Sequence, residues 1–219
     1  MAQGYVKASE LPQVIPVFPL PGSILLARGQ LPLNVFEPRY LNMVDDAMAG
    51  DRIIGLIQPV GPLDIQPPLA RVGCAGRITS FNETSDGRYL ITLTGVCRFQ
   101  VTGELQVRTP YRQVRADFAP FEADLRTPDP AAVFDRHSFL EALRPYLEHR
   151  GLDVDWDTAE AAPQEALINS LAMALPFEPP EKQALLEALS LTDREAALTA
   201  LLRIEAVAPD DDEPGPAMQ

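Results

Sequence analysis

The sequence predicts an α+β protein: a small antiparallel β-barrel with one short helix over residues 1–118, then an α-helical bundle over residues 131–207. Three observations predict it. Short runs rich in β-formers, bounded by proline or glycine, fill the first half without a βαβ rhythm. Apolar residues recur at helical spacing through the second half. The charge steps with them: residues 1–118 hold 11 Lys/Arg and 10 Asp/Glu, whereas residues 119–219 hold 7 and 21, a net of −14.

Residues 14–18 and 31–36 are brief apolar runs broken by prolines and by Gly22 or Gly29, as short strands are. Pro38 opens a helical pattern with Tyr40, Leu41, Val44, Ala47 and Met48 on one face, and Gly50 stands where a left-handed residue would end it. Residues 53–58 form another strand candidate, and the proline-rich stretch 59–68 reads as a loop. The strongest signal lies between Ala70 and Thr102. There the dipeptide Asp86-Gly87 marks a tight turn, because glycine adopts positive φ without strain. Gly95 marks a bulge or bend, beyond which Val96, Arg98, Gln100 and Thr102 alternate with Cys97, Phe99 and Val101. Residues 105–107 and 111–117 complete the strands.

Residues 119–130, with Pro120, Pro128 and Pro130, read as a linker. Asp129 can then cap a helix begun by Pro130, bearing Val133, Phe134, Leu140, Leu143 and Leu147, kinked at Pro145 and ending at Gly151. A second helix runs from about Pro163 to Ala174. A third starts at Pro180 with Leu185, Leu186 and Leu189 inward. Thr192 and Glu195 have capping-box spacing and open a fourth. Residues 208–219, with the acidic run from Asp210 to Glu213, read as a disordered tail.

Composition excludes several classes. Proline supplies 22 of 219 residues, roughly twice its usual share, so elements should be short and sharply bounded. Prolines or charges interrupt every apolar run before the roughly 18 residues that a membrane span needs. The N-terminus lacks the apolar core of a signal peptide, and two cysteines are too few for a disulfide scaffold, so a cytoplasmic protein is expected. The acidic second half would repel a phosphate backbone.

Catalytic motifs do not assemble. Only Lys7 and Lys182 of the 18 basic residues are lysine, and neither follows the glycine-rich loop of a nucleotide hydrolase or offers the apolar setting of a Ser-Lys dyad. Asp153, Asp155 and Asp157 imitate half a calcium loop, but Thr158 and Gln164 stand where glycine and glutamate are required, which leaves an acidic connector with Trp156 plugging a helix junction. Cys74 and Cys97 lack CxxC spacing and read as buried inert thiols. His137 and His149 are too far apart on one helix to share a metal. Asp45-Asp46 reads as solvated charge. A protein that is not an enzyme and carries no cofactor or metal is expected.

One set of segments carries a resemblance. The runs Ile15-Pro16-Val17-Phe18-Pro19-Leu20 and Leu31-Pro32-Leu33-Asn34-Val35-Phe36-Glu37-Pro38-Arg39-Tyr40 resemble the opening of the N-terminal substrate-binding domain of Lon proteases. The likeness continues through Val72-Gly73-Cys74-Ala75-Gly76-Arg77-Ile78, Asp86-Gly87-Arg88-Tyr89 and Gly95-Val96-Cys97-Arg98-Phe99, and returns at Glu181-Lys182-Gln183-Ala184-Leu185-Leu186-Glu187. The chain looks most like the bacterial stand-alone proteins built from that domain. The resemblance implies a PUA-like barrel followed by a helical bundle, and recognition of unfolded or tagged protein segments. It also implies that the ATPase and Ser-Lys protease modules of full-length Lon are absent. A full-length Lon protease and a second copy of the chain are the further partners it suggests.

A module that grips exposed chain segments needs accessible apolar surface or a free sheet edge. Phe36, Glu37, Arg39 and Tyr40 join a strand to a helix, either as a groove wall between barrel and bundle or as a corner in which Glu37 and Arg39 pair with each other or with Arg77 or Arg98. Arg77 and Arg98 complete the candidate set. Two rivals stand beside protein binding. One is RNA binding through a contiguous patch of Arg71, Arg77, Arg88 and Arg98; the other is a small-molecule sensor with its pocket at the barrel–bundle junction.

Overall fold

Six strands and six α-helices occupy the described residues, 4–61, 66–127 and 134–207, of this computed structural model. The order is β1 (Val14–Pro19), β2 (Gln30–Val35), α1 (Pro38–Ala49), β3 (Ile53–Pro59), β4 (Leu69–Glu83), β5 (Tyr89–Glu104) and β6 (Gln113–Asp117). After a 3-10 segment at Ala119–Leu125 come α2 (Arg136–His149), α3 (Trp156–Ala161), α4 (Gln164–Ala174), α5 (Pro179–Glu187) and α6 (Leu191–Glu205).

The strands form one sheet in the order β2-β5-β4-β3-β1-β6, and a further β5–β6 pairing closes five of them into a ring. β2 stays outside that ring, bonded only to β5, which suits Pro32: a residue without an N–H is tolerated on an edge strand and blunts that edge against further pairing. One pair departs from the antiparallel expectation, because β1 and β3 run parallel with Val17 opposite Gly55. The chain reaches β3 through β2 and α1, so it returns to β1 with the same polarity.

Long β4 and β5 bend to close the ring, and their register shifts between Ala75 and Gly76, where the expected irregularity at Gly95 is found. Here β5 passes so close to the β1–β2 connection that a Cβ on Gly95 would run into the Leu26 carbonyl. At Gly73 a Cβ would meet the Phe99 ring and the Leu56 carbonyl oxygen, both at 2.7 Å, so the barrel interior is filled by Phe99. The expected strand at 105–107 does not form.

Other local expectations shift for identifiable reasons. Gly50 lies at φ −119°, and the left-handed residue after α1 is Arg52, whose N–H bonds the Ala47 carbonyl at 2.9 Å. The expected helix start at Asp129 and Pro130 falls outside the described residues. Within them α2 begins at Arg136, and the Asp135 carboxylate accepts the Ser138 N–H at 3.1 Å. The acidic connector holds a short helix instead: Asp155 caps α3 through the Thr158 N–H, and Trp156 lies under the Arg144 guanidinium at 4.2 Å. The box that opens α6 is Ser190 with Asp193, while Glu195 accepts from Gln164 at 2.9 Å.

The segment after β6 is packed rather than extended, with Phe121 and Asp124 buried. One hydrophobic core runs from Val17, Leu56 and Phe99 in the barrel to Phe139, Leu143, Tyr146, Leu185 and Leu202 in the bundle. At roughly 1.5–3 kcal/mol for each fully buried large side chain, that continuity makes the bundle a fixed neighbour of the barrel.

Candidate functional site

A cleft of about 1320 Å³ opens where barrel and bundle meet. Its floor is built around Arg98 on β5. This guanidinium is buried and donates from Nε to Asp124 Oδ2 at 2.8 Å and from Nη2 to Oδ1 at 2.9 Å. Its Nη1 donates to the carbonyls of Leu186, at 2.9 Å, and Ala188, satisfying acceptors left free at the end of α5. The same Asp124 Oδ2 takes the Arg98 backbone N–H at 3.0 Å.

Arg28 forms one wall. Its backbone sits at φ +66°, a region that non-glycine residues occupy at a cost, and its N–H bonds the Gly95 carbonyl at 2.8 Å. The side chain clamps Glu165 on α4 with two hydrogen bonds, one of them 2.7 Å, and reaches the Asp124 carbonyl. Burial opposes the Arg28 charge, but Glu165 outweighs it and holds the guanidinium above its ordinary value. Asn169 bridges the jaws, donating to the Ala27 carbonyl at 3.3 Å and accepting from Arg194 Nη1 at 2.9 Å. Arg194, 4% exposed, also bonds the Leu185 carbonyl, and its Nη2 has no partner among the described residues. Burial, with Arg98 adding, lowers its pKa to about 10, so it stays charged at neutral pH. Arg126, Arg136 and Leu189 complete the rim. Leu189, expected inward, is 76% exposed because α5 ends two residues before it.

Of the residues expected to bind, the structure brings four together. Phe36, 62% exposed, follows β2 with the Arg88 guanidinium 6.0 Å from its ring centre. Glu37, at the α1 N-cap, pairs with Arg39 at 2.7 Å, and Arg39 lies over the Tyr40 ring at 4.6 Å. Tyr40 is buried against Phe18, ring centres 4.3 Å apart, and burial raises its hydroxyl pKa. Arg77 stands apart over the Tyr5 ring at 5.1 Å. Only Arg98 of the six lines the cleft. The RNA-binding set does not converge either. Arg71 and Arg77 are six residues apart on β4, about 20 Å by strand geometry, Arg98 is buried, and Arg88 pairs with Asp86 at 3.0 Å.

Of the two lysines Lys7 is exposed, but Lys182, expected outside any apolar setting, is committed inside the fold, as are both cysteines. Lys182 is 2% exposed, and its Nζ donates to the carbonyls of Ala172 at 2.9 Å and Met173 at 2.6 Å, capping α4; burial lowers its pKa to about 8. Cys74 and Cys97 are free and buried, and burial pushes both thiols well above their ordinary range.

Comparison with known proteins gives the arrangement its context. The chain is 25% identical over 211 residues to a Lon protease of Syntrophus aciditrophicus, covering 90% of this chain and 26% of that protein. It is 29% identical over 117 residues to Lon protease 2 of Myxococcus xanthus, covering 52% of this chain and 14% of the relative. The chain therefore spans about a quarter or less of the length of these relatives. The fold matches the crystal structure of a Lon N-terminal domain protein from Xanthomonas campestris (TM-score 0.60, 23% identity, 85% of this chain and 97% of that one). It also matches the N-terminal domain of a Mycobacterium avium complex Lon protease (TM-score 0.59, 18% identity, 86% and 97%). The model of the ATP-dependent protease La (LON) substrate-binding domain matches residues 14–203, and the chain belongs to that family.

Proposed function

We propose that this chain is a non-catalytic protein-binding module that takes an exposed segment of a client polypeptide into the cleft between its barrel, residues 1–118, and its bundle, residues 131–207. The cleft itself carries the reading. Its volume of about 1320 Å³ exceeds the roughly 300–1,000 Å³ usual for small-molecule sites, which favours a peptide segment over a sensed metabolite. Leu189 offers apolar surface on the rim without disturbing the core. The free edge of β2 is a poorer docking point, since Pro32 interrupts it.

In this reading the chain holds clients by shape and contact without nucleotide. Lys182 is bonded to two carbonyls, and the thiols are buried, so neither Lys182 nor the thiols present an accessible nucleophile. A cytoplasmic role in protein quality control follows, on a PUA-like barrel, with unfolded or tagged segments as clients and a full-length Lon protease or a second copy as further partners. Phe36 and Arg39, exposed at the strand–helix corner, are available as outlying contacts. The test is fluorescence anisotropy with a labelled, permanently unfolded model protein. Saturable micromolar binding is expected, and no binding in that range overturns the proposal.

A further inference from the structure

Resting on that protein-binding reading, we infer that the cleft selects acidic client segments, with carboxylate side chains seated against arginines that form no ion pair among the described residues. Five arginines line the cleft against two carboxylates, in a chain whose net charge is −13. Both carboxylates are already occupied, Asp124 by Arg98 and Glu165 by Arg28. Three cations remain. Among the described residues, buried Arg194 leaves Nη2 unbonded, and its other nitrogens reach a carbonyl and an amide oxygen. Arg136 donates to the carbonyls of Ala159 and Ala162, which accept its protons without cancelling its charge. Arg126 is exposed and forms no ion pair among the described residues.

A buried cation with an unused donor is costly to leave unpaired, and an incoming carboxylate supplies both a counter-charge and an acceptor. One helix end adds to the field. The first turn of α4 lines the cleft behind Pro163, which offers no side-chain cap, whereas the α6 N-terminus at Ser190 is already capped through Asp193. The surroundings limit the ligand to a short acidic stretch. Residues 119–219 carry a net of −14, which repels a long polyanion beyond the cleft mouth. The Phe134 ring is covered by Arg136 at 5.1 Å, so it is no open platform for a base.

The test uses the full chain and three labelled unstructured peptides that share their apolar residues and differ only in carrying Glu, Gln or Lys. Anisotropy at low and high salt should show the Glu peptide binding roughly tenfold tighter than the Gln peptide, with the gap closing as salt rises. Arg126→Gln should narrow that gap several-fold at unchanged Tm. Arg203→Gln, the same charge change on an exposed residue of α6 outside the cleft, should leave it intact. Equal or tighter binding of the Gln or Lys peptide overturns the inference while leaving protein binding standing. So does displacement of the Glu peptide by a single-stranded oligonucleotide of equal charge at equal concentration. Failure of all three peptides to bind overturns the protein-binding reading as well.

Discussion

Arg98 and Asp124 meet as a two-pronged ion pair beneath the barrel–bundle cleft, with Nε–Oδ2 and Nη2–Oδ1 at 2.8 and 2.9 Å and both side chains largely withdrawn from water. The pair ties β5 to the segment before the bundle, and the spare Arg98 nitrogen ties both to the end of α5. These bonds tie together the elements that form the floor of the cleft.

Removing one partner strands a buried charge. Asp124→Ala is therefore expected to cost on the order of 3–5 kcal/mol in urea denaturation, because Arg98 keeps its charge with no carboxylate. Replacing both, as Arg98→Met with Asp124→Leu, should cost less than the single change. A double-mutant cycle with additive losses would show that the pair is not coupled.

The strand–helix corner separates two roles that adjacent residues suggest equally in sequence. Tyr40 packs on Phe18 inside the core, so Tyr40→Ala should lower Tm through a loss of roughly 3 kcal/mol or more. Arg39 is exposed, pairing with its neighbour Glu37 and lying over the Tyr40 ring, so Arg39→Ala should change stability by less than about 1 kcal/mol. Differential scanning calorimetry of the two variants checks both values.

The β-then-α order and most strand positions were legible because they rest on local signals: β-former runs, proline punctuation and a glycine turn. The parallel β1–β3 pair was not, since it depends on where α1 delivers the chain. Two capping boxes fit the start of α6 by spacing, Ser190 with Asp193 and Thr192 with Glu195, and the chain forms the first. The short α3 has too few residues to show a period. The cleft was invisible as a motif because Arg28, Asp124, Arg136, Asn169 and Arg194 arrive from separate elements. One signal was nevertheless present. Arg194 falls on the helical stripe of Leu191, Leu198 and Leu202, and Lys182 falls on that of Leu185 and Leu186, so both stood on apolar faces.

Alkaline pH should destabilise the fold through its thiols. Folding raises the pKa of Cys74 and Cys97, so below the ordinary thiol value of 9.0 their contribution is complete. Above it the unfolded chain loses protons that the folded chain keeps, and stability falls by up to about 1.4 kcal/mol per pH unit for each thiol. Lys182 works in the opposite sense. Its folded value near 8 lies below the ordinary 10.5, so between those limits the unfolded chain binds the extra proton and stability rises with pH. The thiols outweigh it, and urea midpoints measured under reductant should drop from pH 9 to 10. In a Cys74→Ala, Cys97→Ala background the fall should become much shallower, because Tyr40, Tyr89, Tyr111 and Tyr146, whose hydroxyl pKa values the fold also raises, still act in that sense against Lys182. An equally steep fall in that background would remove the thiols as its cause.

Leu189 is the residue that should separate binding from folding most cleanly. With 76% of its surface exposed, it contributes little to the native state, and Leu189→Ser should shift stability by no more than about 0.5 kcal/mol. A client segment seated in the cleft would cover it, and losing that apolar burial is worth roughly 1–2 kcal/mol, or about a five- to thirtyfold rise in Kd. Because the residue is uncharged, the loss should be similar for acidic and neutral peptides and insensitive to salt. Titration of Leu189→Ser against both peptides therefore reads the apolar wall of the cleft independently of its arginines. Unchanged affinity for both would place the binding surface elsewhere on the molecule.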